Sequence, residues 1–209
     1  MKVNEIFLSI QGESSSVGLP TVFVRFTGCN LRCSFCDTTY AYHDGCDMSL
    51  DGIIDEIDKL GCKRVCLTGG EPLLQQDIQS LIDKLHGYDV SIETNGSVEL
   101  SKFHLHPRQR FVMDIKLMSS GFFDSMKLSN FDYLSDNDEI KFVVCNRQDY
   151  DLAKKVISKY YKHGKILISP VFDAIDYATV VAWMLQDKLD ARFQLQIHKI
   201  IWDKNKRGV

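Results

Sequence analysis

Arg64-Val65-Cys66-Leu67-Thr68-Gly69-Gly70-Glu71-Pro72, continuing through Leu73-Leu74-Gln75-Gln76-Asp77-Ile78-Gln79-Ser80-Leu81-Ile82-Asp83-Lys84-Leu85-His86-Gly87, holds a complete folding unit. Residues 64–67 form a short apolar run of strand character, and Gly69, Gly70 and Pro72 break it. Ile78, Leu81, Ile82 and Leu85 then recur at helical spacing as far as Gly87. Working outward, the unit repeats. Upstream, Leu50, Ile53, Ile54, Ile57 and Leu60 make a helical stripe that Gly61 ends. Downstream, residues 90–93 read as a strand broken at Thr94-Asn95-Gly96, and residues 111–117 as another, ending with Asp114, Ile115 and Lys116. Residues 139–145 are a further strand, followed by a helix on Leu152, Val156, Ile157 and Tyr160, stopped near Gly164. Residues 166–168 close at Ser169-Pro170 before a last stripe on Tyr177, Val180, Val181, Met184 and Leu185, and residues 193–202 alternate polar and apolar.

Ahead of these units, residues 3–10 and 21–27 are two strand-like runs around a small-residue loop, the pattern of a hairpin. About six strands alternating with helices imply a mostly parallel sheet with right-handed crossovers. A complete eight-unit barrel takes roughly 250 residues, and this chain has 209. The expected fold is therefore α/β, an incomplete, open (β/α)6-type barrel with an N-terminal β-hairpin extension. One domain spans 1–209, with 1–20 as the hairpin and loop and 190–209 as a C-terminal closing segment. In such folds the working residues lie on loops after the C-terminal ends of the strands.

Composition narrows the function. A net charge of −3 and a pI near 6.1 offer no basic excess to neutralise phosphates, which argues against a nucleic-acid partner and favours a small molecule. No apolar stretch approaches the roughly 20 residues needed to span a bilayer, and the start lacks a signal pattern, so a cytoplasmic protein without membrane contact is expected. Seven cysteines, in a reducing compartment, read as thiols or metal ligands rather than as a disulfide framework.

Three of those cysteines stand in Gly28-Cys29-Asn30-Leu31-Arg32-Cys33-Ser34-Phe35-Cys36-Asp37-Thr38-Thr39. Structural zinc takes four protein ligands, whereas a [4Fe-4S] cluster on three leaves one iron open to an outside group. Zinc with Cys46 as fourth ligand is the competing reading. Cys46, Cys62, Cys66 and Cys145 otherwise read as core. Taken alone, Thr68-Gly69-Gly70-Glu71-Pro72 and Glu93-Thr94-Asn95-Gly96 pass as turns, and Gln11, Glu13 and Arg25 as polar strand ends.

The C-x₃-C-x₂-C spacing, with aromatic Phe35 before the last cysteine and a GGEP string about 30 residues later, resembles the radical S-adenosylmethionine (SAM) enzymes. Adding Ile10-Gln11-Gly12-Glu13, Val24-Arg25-Phe26, Cys36-Asp37-Thr38, Ile92-Glu93-Thr94-Asn95-Gly96 and Gln196-Ile197-His198-Lys199, the chain is similar over nearly its whole length to the 7-carboxy-7-deazaguanine synthases.

That resemblance implies a lyase in queuosine and other deazapurine biosynthesis. It would convert 6-carboxy-5,6,7,8-tetrahydropterin to 7-carboxy-7-deazaguanine and ammonia by a radical ring contraction in which SAM is regenerated. It implies a [4Fe-4S] cluster on Cys29, Cys33 and Cys36, and magnesium at Thr38. SAM contacts would fall to Phe35, Cys36, Asp37, Gly70, Glu71, Glu93, Asn95, Asp114, Ile115, Lys116 and Ser169-Pro170-Val171-Phe172. Substrate contacts would fall to Ile10, Gln11, Gly12, Glu13, Arg25, Thr68, His198 and the chain end at Val209. A homodimer and a flavodoxin-like or ferredoxin electron donor are implied with them. The competing functions are a radical SAM activase acting on a partner protein and a zinc-bound, non-catalytic interaction module.

Overall fold

The computed structural model describes residues 1–209. The first two strands, β1 (Lys2–Ile10) and β2 (Pro20–Phe26), pair antiparallel as the expected hairpin, with a register irregularity between Val3 and Glu5. A two-residue strand, β3 (Cys46–Asp47), adds to the outer edge of β1. Helix α1 (Leu50–Lys59) follows; the Ser49 hydroxyl accepts from the Gly52 amide to cap it. From there every strand runs parallel: β4 (Arg64–Gly69), β5 (Asp89–Thr94), β6 (Gln109–Ile115), β7 (Glu139–Val144), β8 (Lys165–Pro170) and β9 (Arg192–Phe193). The sheet order is β3-β1-β2-β4-β5-β6-β7-β8-β9, with β2 joining β4 in parallel and two free edges. The open, mostly parallel barrel expected from the sequence is thus present.

The helices do not alternate with every strand. Helix α2 (Ile78–Lys84) links β4 to β5, α3 (Arg147–Tyr160) links β7 to β8, and α4 (Tyr177–Gln186) links β8 to β9. The β5–β6 and β6–β7 connections hold only 3₁₀ turns. Neither segment has an apolar period of 3.6; one carries Pro107 and the other Gly121 in a left-handed conformation, φ +82°. The central strands are buried on both faces, as parallel sheets require: Val65, Cys66, Leu67, Val90, Ile92 and Met113 have no exposed surface.

The alternation over 193–202 does not make a strand. Only Arg192 and Phe193 pair with β8; the Gln194 amide donates to Ile168 O while its side chain accepts from Ser14 N, and residues His198–Ile201 form a single helical turn, α5. Of the four unassigned cysteines, only Cys66 is core. Cys46 is exposed on β3, and Cys62 and Cys145 are half-buried, because an edge strand and two strand-end positions leave them at the rim.

Candidate active site

The C-terminal strand ends open onto one cavity of about 790 Å³, within the usual range for small-molecule sites. The cysteine loop forms one wall. Gly28 N bonds Ala41 O at 2.8 Å, Arg32 Nη1 donates to the carbonyls of Cys29 and Leu31, and Ser34 anchors to the Ser119 and Ser120 carbonyls. Gly69 and Gly70 let β4 end against this loop. A Cβ on Gly70 would sit 2.0 Å from Gly28 O, and Gly69 adopts φ +128° hard against Phe26.

Glu71 was expected to face SAM, but it is fully buried and does not line the cavity. Its carboxylate accepts from Leu73 N at 3.1 Å and Asn95 N at 2.6 Å, tying the end of β4 to the end of β5. Burial pushes this carboxyl up to about 7 against those two bonds. It positions Asn95, which reaches both Asn30 and Cys29. Ile115, Ser169 and Pro170 are likewise buried and off the cavity wall.

The other expected residues do line the cavity. Cys29, Cys33, Phe35, Cys36, Asp37 and Thr38 face it from the loop, and Gly70, Glu93, Asn95, Asp114, Lys116, Val171 and Phe172 from the strand ends. Ile10, Gln11, Gly12, Glu13, Arg25 and Thr68 sit opposite, with His198 and Val209 on the C-terminal side. Within this ring Glu93 accepts from Gln11 Nε2 at 3.3 Å and from the Thr68 hydroxyl at 2.9 Å. Arg25 is held by Glu5 at 2.8 Å, and Glu5 also takes the Tyr40 hydroxyl. A Cβ on Gly12 would lie 1.9 Å from His198 Nδ1, so the imidazole in this position packs directly on the Gly12 backbone.

Sequence reasoning missed the central cation, Lys141. Its ammonium lies 2.7 Å from Glu13 and 3.3 Å from Asp114, and Asp114 is also 2.8 Å from Lys116. Burial alone would lift the Glu13 and Asp114 carboxyls and lower Lys141; the ion pairs outweigh it, so both acids stay low and Lys141 rises well above its ordinary value. The signal was legible as alternation: Glu139, Lys141 and Val143 share one face of β7, the interior of the barrel. Lys199 was also missed. Burial would raise Asp37, but Lys199 at 2.6 Å holds it well below the carboxylate range.

The donor set fits the implied groups. Three thiols leave a [4Fe-4S] cluster one open iron, whereas structural zinc takes four protein ligands, and Cys46, the fourth ligand of the zinc reading, is exposed on β3. Leu31 N and Asn95 Nδ2 point at Cys29 Sγ at 3.4 and 3.7 Å, the kind of N–H···S contact that stabilises cluster thiolates. Asp114 Oδ1 is buried without a partner, an open acceptor for a ligand hydroxyl or amine. Thr38 and Asp37 offer only hard oxygen, which suits magnesium.

Residues 23–177 match the family model of the Radical SAM superfamily, and the crystal structure of QueE from Escherichia coli superposes with a TM-score of 0.75 over 93% of this chain and 92% of that one, at 24% identity. The fold and the cysteine loop are those of a radical SAM protein. Two curated 7-carboxy-7-deazaguanine synthases align over the full chain: that of Clostridium acetobutylicum at 45% identity, with 99% of its length covered, and that of Koribacter versatilis at 38%, with 100% covered. The chain belongs to the 7-carboxy-7-deazaguanine synthase family.

Proposed function

We propose that the chain catalyses the radical ring contraction of 6-carboxy-5,6,7,8-tetrahydropterin to 7-carboxy-7-deazaguanine with release of ammonia. The observation that carries this is the joining, in one cavity, of a three-thiol loop with an array of carboxylates, amides and cations sized for a small polar heterocycle. Residues 204–209 also line that cavity, which suits a closed small-molecule pocket better than the open groove a polypeptide substrate needs. No helix is long and apolar enough to cross a membrane.

Cys29, Cys33 and Cys36 would hold the cluster, which together with SAM supplies one-electron chemistry and a hydrogen-abstracting radical. Asn95, Asp114 and Gly70 would fix SAM. Glu93, oriented by Gln11 and Thr68, would accept from ring N–H groups. Arg25, oriented by Glu5, would pair with a carboxylate or ring carbonyl. Thr38 would give magnesium one oxygen, the substrate carboxylate and water giving others. Burial, aided by Lys199, lowers the His198 pKa against the pull of Glu13, and its imidazole would contact the substrate or relay a proton from a ring carbon to the departing amine. The C-terminal segment would keep water from the radical.

The whole chain would act as one domain, in a homodimer, in the cytoplasm, with a flavodoxin-like or ferredoxin donor; the reducing potential such a cluster needs favours that compartment. The test is anaerobic turnover of the carboxypterin with SAM, dithionite and magnesium, read by mass spectrometry. The deazapurine should form, and Ser at Cys29, Cys33 or Cys36 should abolish both product and the cluster's visible absorption. Absence of product from protein carrying a full cluster would remove the assignment.

A further inference from the structure

At the end of the sheet opposite the cavity, Asp83 in the last turn of α2 meets His104 and His106 on the segment leading into β6. Asp83 Oδ1 lies 3.0 Å from His104 Nε2 and 3.4 Å from His106 Nε2, and all three donor atoms fall within 4.8 Å of one another. Ligands about 2.0–2.1 Å from a tetrahedral zinc ion stand roughly 3.4 Å apart along each edge, so these separations already match a coordination face. His106 Nε2 is itself shielded from solvent and, beyond its 3.4 Å approach to Asp83, makes no hydrogen bond.

The surroundings are those of a supported site. Gln79 Nε2 donates to Asp83 Oδ1 at 2.9 Å and to the His104 carbonyl at 3.1 Å, orienting one ligand and the backbone of another. Gln79 Nε2 also approaches His104 Nε2 at 3.3 Å, a contact that a cation would replace. The His86 ring, held by Asp83 O, stands 6.0 Å from His106.

We propose that Asp83, His104 and His106 form a second metal site, for a divalent first-row transition cation of zinc type, with water or His86 completing the coordination. Two imidazoles and one carboxylate suit zinc rather than magnesium or calcium. The β5–β6 crossover is one of the two that lack an α-helix, and the ion would clip that crossover to α2. The site is structural and remote from the chemistry.

The test is calorimetric zinc titration of anaerobic, cluster-loaded protein stripped of loose metal with EDTA. One saturable site is expected, weakened at least about 100-fold in His104→Gln/His106→Gln. The wild type should also unfold at higher temperature with zinc, a shift absent in the variant, while turnover of both remains equal. Asp83→Asn guards against a folding defect in the double variant: it should keep its metal-free melting temperature and lose zinc affinity. Absence of a one-to-one site in the wild type, undiminished affinity in the variants, or loss of binding only on substitution of Cys46 would overturn the proposal.

Discussion

Lys141→Met removes a charge and keeps the shape, which isolates what the central ammonium does. Charges 2.7 and 3.3 Å apart attract by roughly 6 and 5 kcal/mol at an effective dielectric constant of about 20. Desolvation of three largely buried ions offsets most of that. The loss on removing one partner from such a cluster is about 3–5 kcal/mol, set mainly by the carboxylates left behind. Asp114 keeps Lys116 at 2.8 Å; Glu13 keeps only neutral Gln196.

The variant's deficit should therefore depend on pH. In the wild type Glu13 is held below 4.5, so its stabilisation is present above that pH and lost as pH falls. In Lys141→Met, burial dominates and lifts Glu13 above 4.5, so stability is lost as pH rises through the new value. Urea unfolding followed by tryptophan fluorescence should give a small deficit at pH 4 and the full one at pH 7. Lys141→Met/Glu13→Gln should recover about 2 kcal/mol at pH 7. A deficit under about 1 kcal/mol at pH 7, or one equal at both pH values, would refute the reasoning.

Gly70→Ala drives a Cβ to 2.0 Å from the Gly28 carbonyl, backbone that cannot yield, and should cost about 1–3 kcal/mol together with iron retention, measured as iron per chain after reconstitution. Gly12→Ala meets His198 Nδ1 at 1.9 Å and should lower kcat/KM by about 10-fold or more; in a His198→Ala background the same change should cost nothing further, which a kinetic cycle reads directly. Thr38→Val should leave cluster absorption intact and abolish stimulation by magnesium, and a variant still stimulated by magnesium would remove Thr38 as a ligand.

The sequence revealed most where one residue type answers to one local demand. The cysteine spacing announced a shared ligand, and the stripes over 50–60 and 78–85 announced helices. It revealed least where a residue's role depends on a distant partner. Glu71 reads as a loop carboxylate until Asn95, 24 residues on, is seen to donate to it. Alternation along residues 139–143 puts Lys141 on the inner face of its strand, but its counter-charge, Glu13, lies 128 residues away. The missing helices of the β5–β6 and β6–β7 crossovers were legible as an absence of apolar period over those segments.

The open barrel leaves a gap between its first and last strands, and the C-terminal segment spans it by side chains and single hydrogen bonds rather than by a sheet. Ser14 N bonds Gln194 Oε1 at 3.0 Å, Ile197 N bonds Gly12 O at 3.1 Å, and Gln196 Nε2 donates to Glu13 at 2.5 Å. Glu13 is thus shared between the strap and Lys141, and Lys199 of the same strap neutralises Asp37 next to Thr38. A β9 extended through residues 194–199 would be stiffer, but its alternating side chains could not place Gln196, His198 and Lys199 on one wall while the backbone turns through α5. The irregular strap is what lets the chain's last segment contribute to a site built on the C-terminal ends of its strands.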